Sequence, residues 1–350
     1  MTPLQILLKT VKLFFVFLFI SFFLFIFFII LSLSLFSRSI NKSPNYLIET
    51  IFSSIKNNPY QSKDKINFLI LGLDERNDSL EKTTTTDTII FASLNLKTFK
   101  LNLISTPRDL WFYEKETKIN GLYPLSLESG EDKFDFLKSN FSQLYGQPID
   151  HIIIFTTDNL INFVNLIGGV DLYLEKGFID DKYPNQAYID NPSPKIPIYK
   201  TVEFPSGLVH LDQNNISEFV RSRKSSETAA NGGTDIGRIQ RQQFLIEAIL
   251  NKIKSGELIN NKDQLKNLYY FWDKGISKTL SNIDIIQIIL VLNENIDKIS
   301  LNKIEIPIGI NAKDGIIYHP LKFINKQWVY ITADDKYQSF QEFIQKSISQ

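Results

Sequence analysis

From Leu13 to Phe36 the chain runs for 24 residues without a charged side chain, and its only polar members are Ser21, Ser32 and Ser34. As a helix rising about 1.5 Å per residue, such a run covers roughly 36 Å, enough to cross a bilayer with some tilt. A helix in a soluble core would keep a polar face, and this run has none. A signal-peptide core is shorter, about 7–15 residues, and ends at a small-residue cleavage site. No such site follows here, so the sequence predicts an uncleaved anchor. Lys9, Lys12 and the amino terminus precede the run, and Arg38 and Lys42 follow it. The positive-inside rule then leans slightly towards a cytoplasmic amino terminus. Residues 1–12 become a short cytoplasmic tail, 13–36 a single span of the plasma membrane, and the remainder extracytoplasmic.

Residues 37–64, rich in Ser, Asn, Lys and Pro, read as a linker with a short amphipathic turn near Tyr46–Ile55. Beyond it, apolar runs alternate with helical spacing. Ile66–Leu73, Thr88–Asn95, Lys100–Ser105, Ile152–Phe155 and Val170–Leu174 read as strands. Lys133–Tyr145, Asp158–Ile167, Asn214–Arg223 and Asp235–Lys254 read as helices, and 177–202 as a long proline-bearing loop. Continuous apolar strands between helices predict an α/β fold whose sheet is covered on both faces. After that, Gln264–Lys274 and Ile283–Leu292 look helical, Ile304–Ile308 looks like a strand, and Ile316–Ile331 could hold two more.

Charge and composition narrow the function. With 38 basic and 38 acidic residues the chain is not built for nucleic acid, which calls for a basic excess. It has no cysteine, which excludes disulfides and thiol catalysis, and its three histidines are scattered. Of its 38 basic residues only 7 are arginine, yet Arg221, Arg223, Arg238 and Arg241 fall within 21 residues. Guanidinium is a planar fork that binds phosphate bidentately, and ammonium is not. In a chain that uses lysine almost everywhere else, the cluster points to an anion site.

Four places carry candidate chemistry. Arg108, in Ser105-Thr106-Pro107-Arg108-Asp109, stands at the end of a buried strand, where α/β sheets bind ligands. It is equally readable as a turn arginine on the surface. Asp74 closes one strand and Asp87 opens the next. If these strands are neighbours, the two carboxylates suit Mg²⁺ or Mn²⁺, and otherwise both simply cap turns. In the helix from Asp235, positions 235, 238, 242, 245, 249 and 253 share one face, so Asp, Arg and Gln continue a stripe that Leu245, Ile249 and Ile253 turn towards the core. That polar turn either meets a ligand or emerges into water. Arg221 and Arg223 end a helix, where one cation is ordinary and two are less so.

Taken in order, several segments resemble the LytR–CpsA–Psr family. They are Asn67–Asp74, Thr86-Asp87-Thr88-Ile89, Ser105–Asp109, Lys118-Ile119-Asn120, Ile167–Asp171, Arg221-Ser222-Arg223, and Asp235-Ile236-Gly237-Arg238 through Gln243. The resemblance covers about 66–253. It implies an α/β/α sandwich with a central mixed sheet outside the membrane, a catalytic domain over 65–255, and residues 256–350 packed on or continuing it. It implies a phosphotransferase that moves a glycopolymer from a polyprenyl pyrophosphate carrier in the lipid bilayer to a peptidoglycan hydroxyl as a phosphodiester. A hydrolase of the same pyrophosphate and a non-catalytic membrane-anchored regulator are the alternatives. By the same resemblance, Arg108, Lys118, Arg221, Arg223, Arg238 and Gln242 hold the pyrophosphate or its sugar. Arg108, Asp235 and Arg238 are catalytic, with Asp235 orienting an arginine or taking the acceptor's proton. Asp74 and Asp87 serve Mg²⁺ (or Mn²⁺). The chain departs from the family at Leu211–Asn215, which lacks a usual Gly and Ala, and after Asn120, which lacks the usual small residues.

Overall fold

The computed structural model describes residues 3–75, 84–223, 235–257, 261–334 and 337–349. The chain divides into two compact units, Met1–Pro59 with Ile283–Leu290, and Tyr60–Asn282 with Val291–Gln350.

In the smaller unit, helix α1 (Pro3–Ser39) contains the predicted span, and Phe17–Ser39 is long and apolar enough to cross a membrane, with its phenylalanines largely exposed. Where the sequence suggests only a turn, α2 (Tyr46–Lys56) makes three turns and buries Thr50 and Ser54. The Ser34 hydroxyl donates to the Pro44 carbonyl at 2.8 Å, tying the end of α1 to the start of α2. Asn58 donates to the Gln287 carbonyl at 2.7 Å and Gln287 donates back to Asn57 at 2.9 Å, which brings in Ile283–Leu290.

The larger unit is built on a six-stranded sheet. Its order is Ser277–Lys278, His151–Thr156, β1 (Lys65–Glu75), β2 (Thr84–Asn95), β3 (Lys100–Ser105), Ser300–Ile304. β1, β2 and β3 form an antiparallel meander, while β1 with His151–Thr156 and β3 with Ser300–Ile304 pair in parallel. The sheet is therefore mixed, as expected. Alternation with period two sorts its side chains. Leu69, Leu71, Leu73, Ile89, Phe91 and Ile104 enter one core with the helices Lys133–Tyr145 and Gln338–Ser349. Phe68, Ile70, Ile90, Ala92, Leu101 and Leu103 face the other side, where Ile246 of the Asp235–Lys254 helix covers them. Burial on both faces is why these strands read as unbroken apolar runs.

A separate core gathers Val164, Leu172, Phe178, Phe204, Phe219 and Leu245. It includes a correction to the predicted loop at 177–202, since Phe178–Pro184 and Tyr199–Phe204 are paired antiparallel strands. Pro192, Pro194 and Pro197 lie in their connection and Pro184 at a strand end, so no proline interrupts the ladder's interior. Gln338–Ser349, unread from the sequence, is amphipathic and buries Phe340, Ile344 and Ile348.

Candidate functional site

The site begins with an irregularity in the β1–β2 ladder. Thr86 pairs with Leu73 and Thr88 with Gly72, which leaves Asp87 as an extra residue between rungs. Such a bulge re-aims the side chain of the inserted residue. It also presses the strands together. A Cβ on Gly72 would lie 2.8 Å from the Thr88 Cβ, a separation only glycine permits.

Three arginines from distant segments converge on Asp87. Arg108, just past β3, places Nη1 2.5 Å from Oδ1. Arg223, after the Ile216–Arg221 helix, donates through Nη2 to Oδ2. Arg238, in the first turn of the Asp235–Lys254 helix, sets Nη1 3.5 Å from Oδ2 and donates Nη2 to the Asp87 carbonyl at 3.3 Å. Burial alone would raise the Asp87 pKa, but the three guanidinium charges outweigh it and hold the carboxyl below its usual range. The carboxylate is ionised at neutral pH, and among the described residues the three guanidinium charges outnumber it by two, Asp109 beside them being matched by Lys118.

Each arginine is held in turn. Thr106 meets the phenol of the fully buried Tyr145 at 2.8 Å, fixing the chain two residues before Arg108. Asp109 accepts from Lys118 Nζ at 2.6 Å and lies 3.7 Å from Arg108 Nε. The backbone N–H of Arg223 donates to buried Asp180 at 2.9 Å. Arg241 is buried one turn beyond Arg238. It donates Nε to the Phe219 carbonyl at 2.9 Å and Nη2 to the Ser222 carbonyl, and lies over the Phe178 ring at 4.3 Å. Burial pushes its pKa down to about 10, Asp180 opposes that and Arg238 adds to it, so it remains charged at pH 7.

The predicted residues therefore divide. Arg108, Arg223 and Arg238 meet at Asp87, and Lys118 joins them through Asp109. Arg221 is exposed at its helix end, and Gln242 donates to the Val220 carbonyl at 3.4 Å. The side chains of Asp74 and Asp235 lie outside the described residues. The helix stripe holds through Arg238 and Leu245, both buried, but Ile253 at its far end is 40% exposed and does not reach the core. Arg241 was expected only as a member of the arginine cluster and Gln243 only as the end of a matching segment; their bracing roles, and Asp180, were not foreseen. Gln243 donates to the Ser105 hydroxyl at 3.0 Å and is buried. Two polar residues on different faces of a helix packed in the core, Arg241 and Gln243, were the available signal, because polar groups are buried only with partners.

Residues 33–342 match the model of the LytR_cpsA_psr family. A polyisoprenyl-teichoic acid–peptidoglycan teichoic acid transferase, TagU of Oceanobacillus iheyensis, is 26% identical over 215 residues, 61% of this chain and 59% of that protein. The Enterococcus faecalis protein of the same name is 24% identical over 236 residues, 65% of this chain and 66% of that one. The chain thus spans under two thirds of either relative's length. The crystal structure of B. subtilis TagV superposes with a TM-score of 0.56 at 16% identity, covering 82% of this chain and 98% of that one. The structure of TagT bound to LIIa-WTA superposes with a TM-score of 0.54 at 20% identity, covering 83% and 93%. At these identities the structural likeness speaks for the fold.

Proposed function

The chain belongs to the LytR–CpsA–Psr family, and from that premise we propose that it is a membrane-anchored phosphotransferase. It takes a wall glycopolymer of the teichoic-acid class from a polyprenyl pyrophosphate carrier and joins it to a peptidoglycan hydroxyl. The observation that carries this reading is the pair of excess positive charges around Asp87. A pyrophosphate esterified at both ends carries two negative charges, so the cluster matches it in sign. A single carboxylate keeps the three guanidinium groups from scattering before the substrate arrives, which is the preorganisation that phosphoryl transfer rewards.

In the proposed reaction the acceptor oxygen bonds to the sugar-side phosphorus while the bridging P–O bond breaks, and polyprenyl phosphate leaves. The acceptor's proton goes to a base, for which Asp235 is the candidate. Arg108, Arg223 and Arg238 bind the phosphate oxygens and meet the charge that grows on them. Lys118, with Arg221 and Gln242, serves the adjoining phosphate or sugar.

The register supports a divalent ion here, because Asp74 pairs with Thr85 and Asp87 bulges out of the same strand two residues further on. Among the described residues no trio of His, Cys, Asp or Glu could hold an ion by itself, so phosphate oxygens and water would complete the shell. Mg²⁺ or Mn²⁺ held by Asp74 and Asp87 would neutralise charge on the pyrophosphate. The weak bias of flanking lysines and arginine supports an amino terminus in the cytoplasm and a larger unit outside.

The test is the full chain in vesicles with a polyprenyl-pyrophosphate glycan and peptidoglycan. Wall-linked glycan and free polyprenyl phosphate are expected, and chelation of divalent ions should abolish both. Glycan released to water instead would make the protein a hydrolase. Neither product, from a folded protein with its ion, would leave a non-catalytic role.

A further inference from the structure

The last third of the chain carries a hairpin that the reaction above does not use. Ile324 and Gln327 pair through two backbone hydrogen bonds of 3.2 and 2.8 Å around Asn325 and Lys326, both with positive φ. That is the two-residue turn that closes a tight hairpin. The hairpin leaves a small sheet after Ile317–Tyr318 and returns at Ile331–Thr332. Three of its large apolar side chains point outwards, while Val329 is buried. Leu321 is fully exposed, Phe323 is 64% and Trp328 42% exposed. Ile310, 88% exposed, follows Ile308–Gly309, which runs parallel to Ile317–Tyr318, so it leaves the sheet at the same end. Trp328 is not loose, because it stacks on His319 at 4.8 Å and meets Tyr330 edge-on at 4.7 Å.

Exposed large apolar groups held in fixed positions mark a contact surface. The charges around them identify its partner. Lys322 and Lys326 are exposed among them, no Asp or Glu occurs between His319 and Tyr330, and on the loop after Ile310 exposed Lys313 offsets exposed Asp314. Asn325 and Gln327 are exposed amides that a sugar could use, but the hairpin sets no carboxylate against sugar hydroxyls, and fully exposed Leu321 offers a sugar nothing. Phe323 between Lys322 and Lys326, Trp328 just beyond Lys326, and exposed Leu321 and Ile310 match the boundary between acyl chains and anionic headgroups. The chain also brings its own helix long enough to cross a bilayer. We infer that the 319–330 hairpin, with Ile310, docks the larger unit on the surface of an anionic membrane. Its root explains the use. Tyr330 donates to the Asp109 carbonyl at 2.9 Å and accepts from Trp111 N–H at 2.8 Å, on either side of Leu110 and next to Arg108. Docking the hairpin sets the arginine cluster at the depth where a lipid pyrophosphate lies.

The test uses the full chain in vesicles of anionic phospholipid with brominated acyl chains. Tryptophan fluorescence should fall relative to unbrominated vesicles, and most of that fall should vanish in Trp328→Phe. An equal fall in both proteins, or no fall in either, overturns the inference. Protection of Trp328 by soluble peptidoglycan fragments without quenching by the lipid would assign the face to a glycan and also overturn it. A second arm rests on the proposed transfer reaction. Leu321→Asp with Phe323→Asp should slow transfer from a long-chain carrier in vesicles about tenfold. A short-chain, water-soluble carrier should be used at the unaltered rate. Equal loss on both carriers would count against docking, whereas no transfer by the unaltered protein would sink the reaction and leave the quenching result standing.

Discussion

Two carboxylates in the larger unit are about equally shielded, Asp87 with 13% and Asp150 with 16% of its side chain exposed, yet they are served in opposite ways. Asp150 pairs with one ammonium, Lys63, and accepts the backbone N–H of Asn67 at 2.8 Å. Its charge is matched and its job is finished, since it pins the start of β1 to the start of His151–Thr156. Asp87 faces three guanidinium groups and is outnumbered. Gathering like charges costs energy that one carboxylate cannot offset. An imbalance of this kind is retained where an anion will come to complete it. The choice of cation follows the same division, with lysine where a point charge suffices and arginine where a planar fork has work to do.

The sharpest break in that comparison is Arg238→Ala. If Arg238 meets charge that develops on the phosphoryl group, transfer should fall by about 10²–10³-fold with the fold intact, as read by product formation and by circular dichroism. Arg238→Lys should recover little, because an ammonium cannot present two donors at this angle. Transfer near the unaltered rate in Arg238→Lys would undo both the site assignment and the argument from arginine usage.

Asp87→Asn comes next and tests the imbalance from the other side. Three guanidinium charges would then stand together without the carboxylate that joins them, with Asp109 beside Arg108 alone. Removing one partner of a shielded ion cluster costs about 3–5 kcal/mol, so a marked drop in denaturant midpoint is expected. The pH dependence has a definite sign. The Asp87 pKa is lowered on folding, so its contribution is complete above the unfolded value near 3.8 and is lost as pH falls through the lower, folded one. Acid unfolding of the unaltered protein should show this loss, and Asp87→Asn should remove it. Saturating pyrophosphate should aggravate neither defect and should partly restore the variant's stability, since it brings negative charge to the same groups.

Much of this was legible in the residues and some was not. The sheet was, because strands buried on both faces leave apolar runs that nothing else explains, as at Leu69–Leu73 and Ile89–Phe91. Arg108 and Arg238 were, because one follows a strand end and the other continues a buried helical stripe. The bulge at Asp87 was not. It arises from two strands pressed together at Gly72 and Thr88, and a single strand's pattern carries no register. The Phe178–Pro184 and Tyr199–Phe204 pair was hidden because prolines in its connection read as a loop. Arg241 was visible as an arginine but not as a brace, since its partners are backbone carbonyls, Phe219 and Ser222, which any sequence would offer.

That brace gives a smaller expected effect. Arg241 bridges two carbonyls just before Arg223, and Arg241→Lys can reach only one of them. Losing one hydrogen bond is worth about 1 kcal/mol, so kcat/KM should fall several-fold, mostly through KM if Arg223 is misaligned in the free protein. An effect on stability alone, with KM unchanged, would make Arg241 part of the core and nothing more.

The smallest effect should come from Lys63→Met. Lys63 is 38% exposed, so water screens its pairing with Asp150 and the pair is worth about 0–1 kcal/mol. Asp150 would keep its bond from the Asn67 N–H, and the methionine would cover the same apolar surface as the lysine stem. Transfer should be unchanged, and the denaturant midpoint should move little. This near-silence matters to the argument, because the two carboxylates differ in cation surplus far more than in burial or in distance to their partners. Should Lys63→Met slow transfer as severely as Arg238→Ala, excess positive charge would not be what distinguishes the site, and the assignment of Arg108, Arg223 and Arg238 to a pyrophosphate would lose its physical basis.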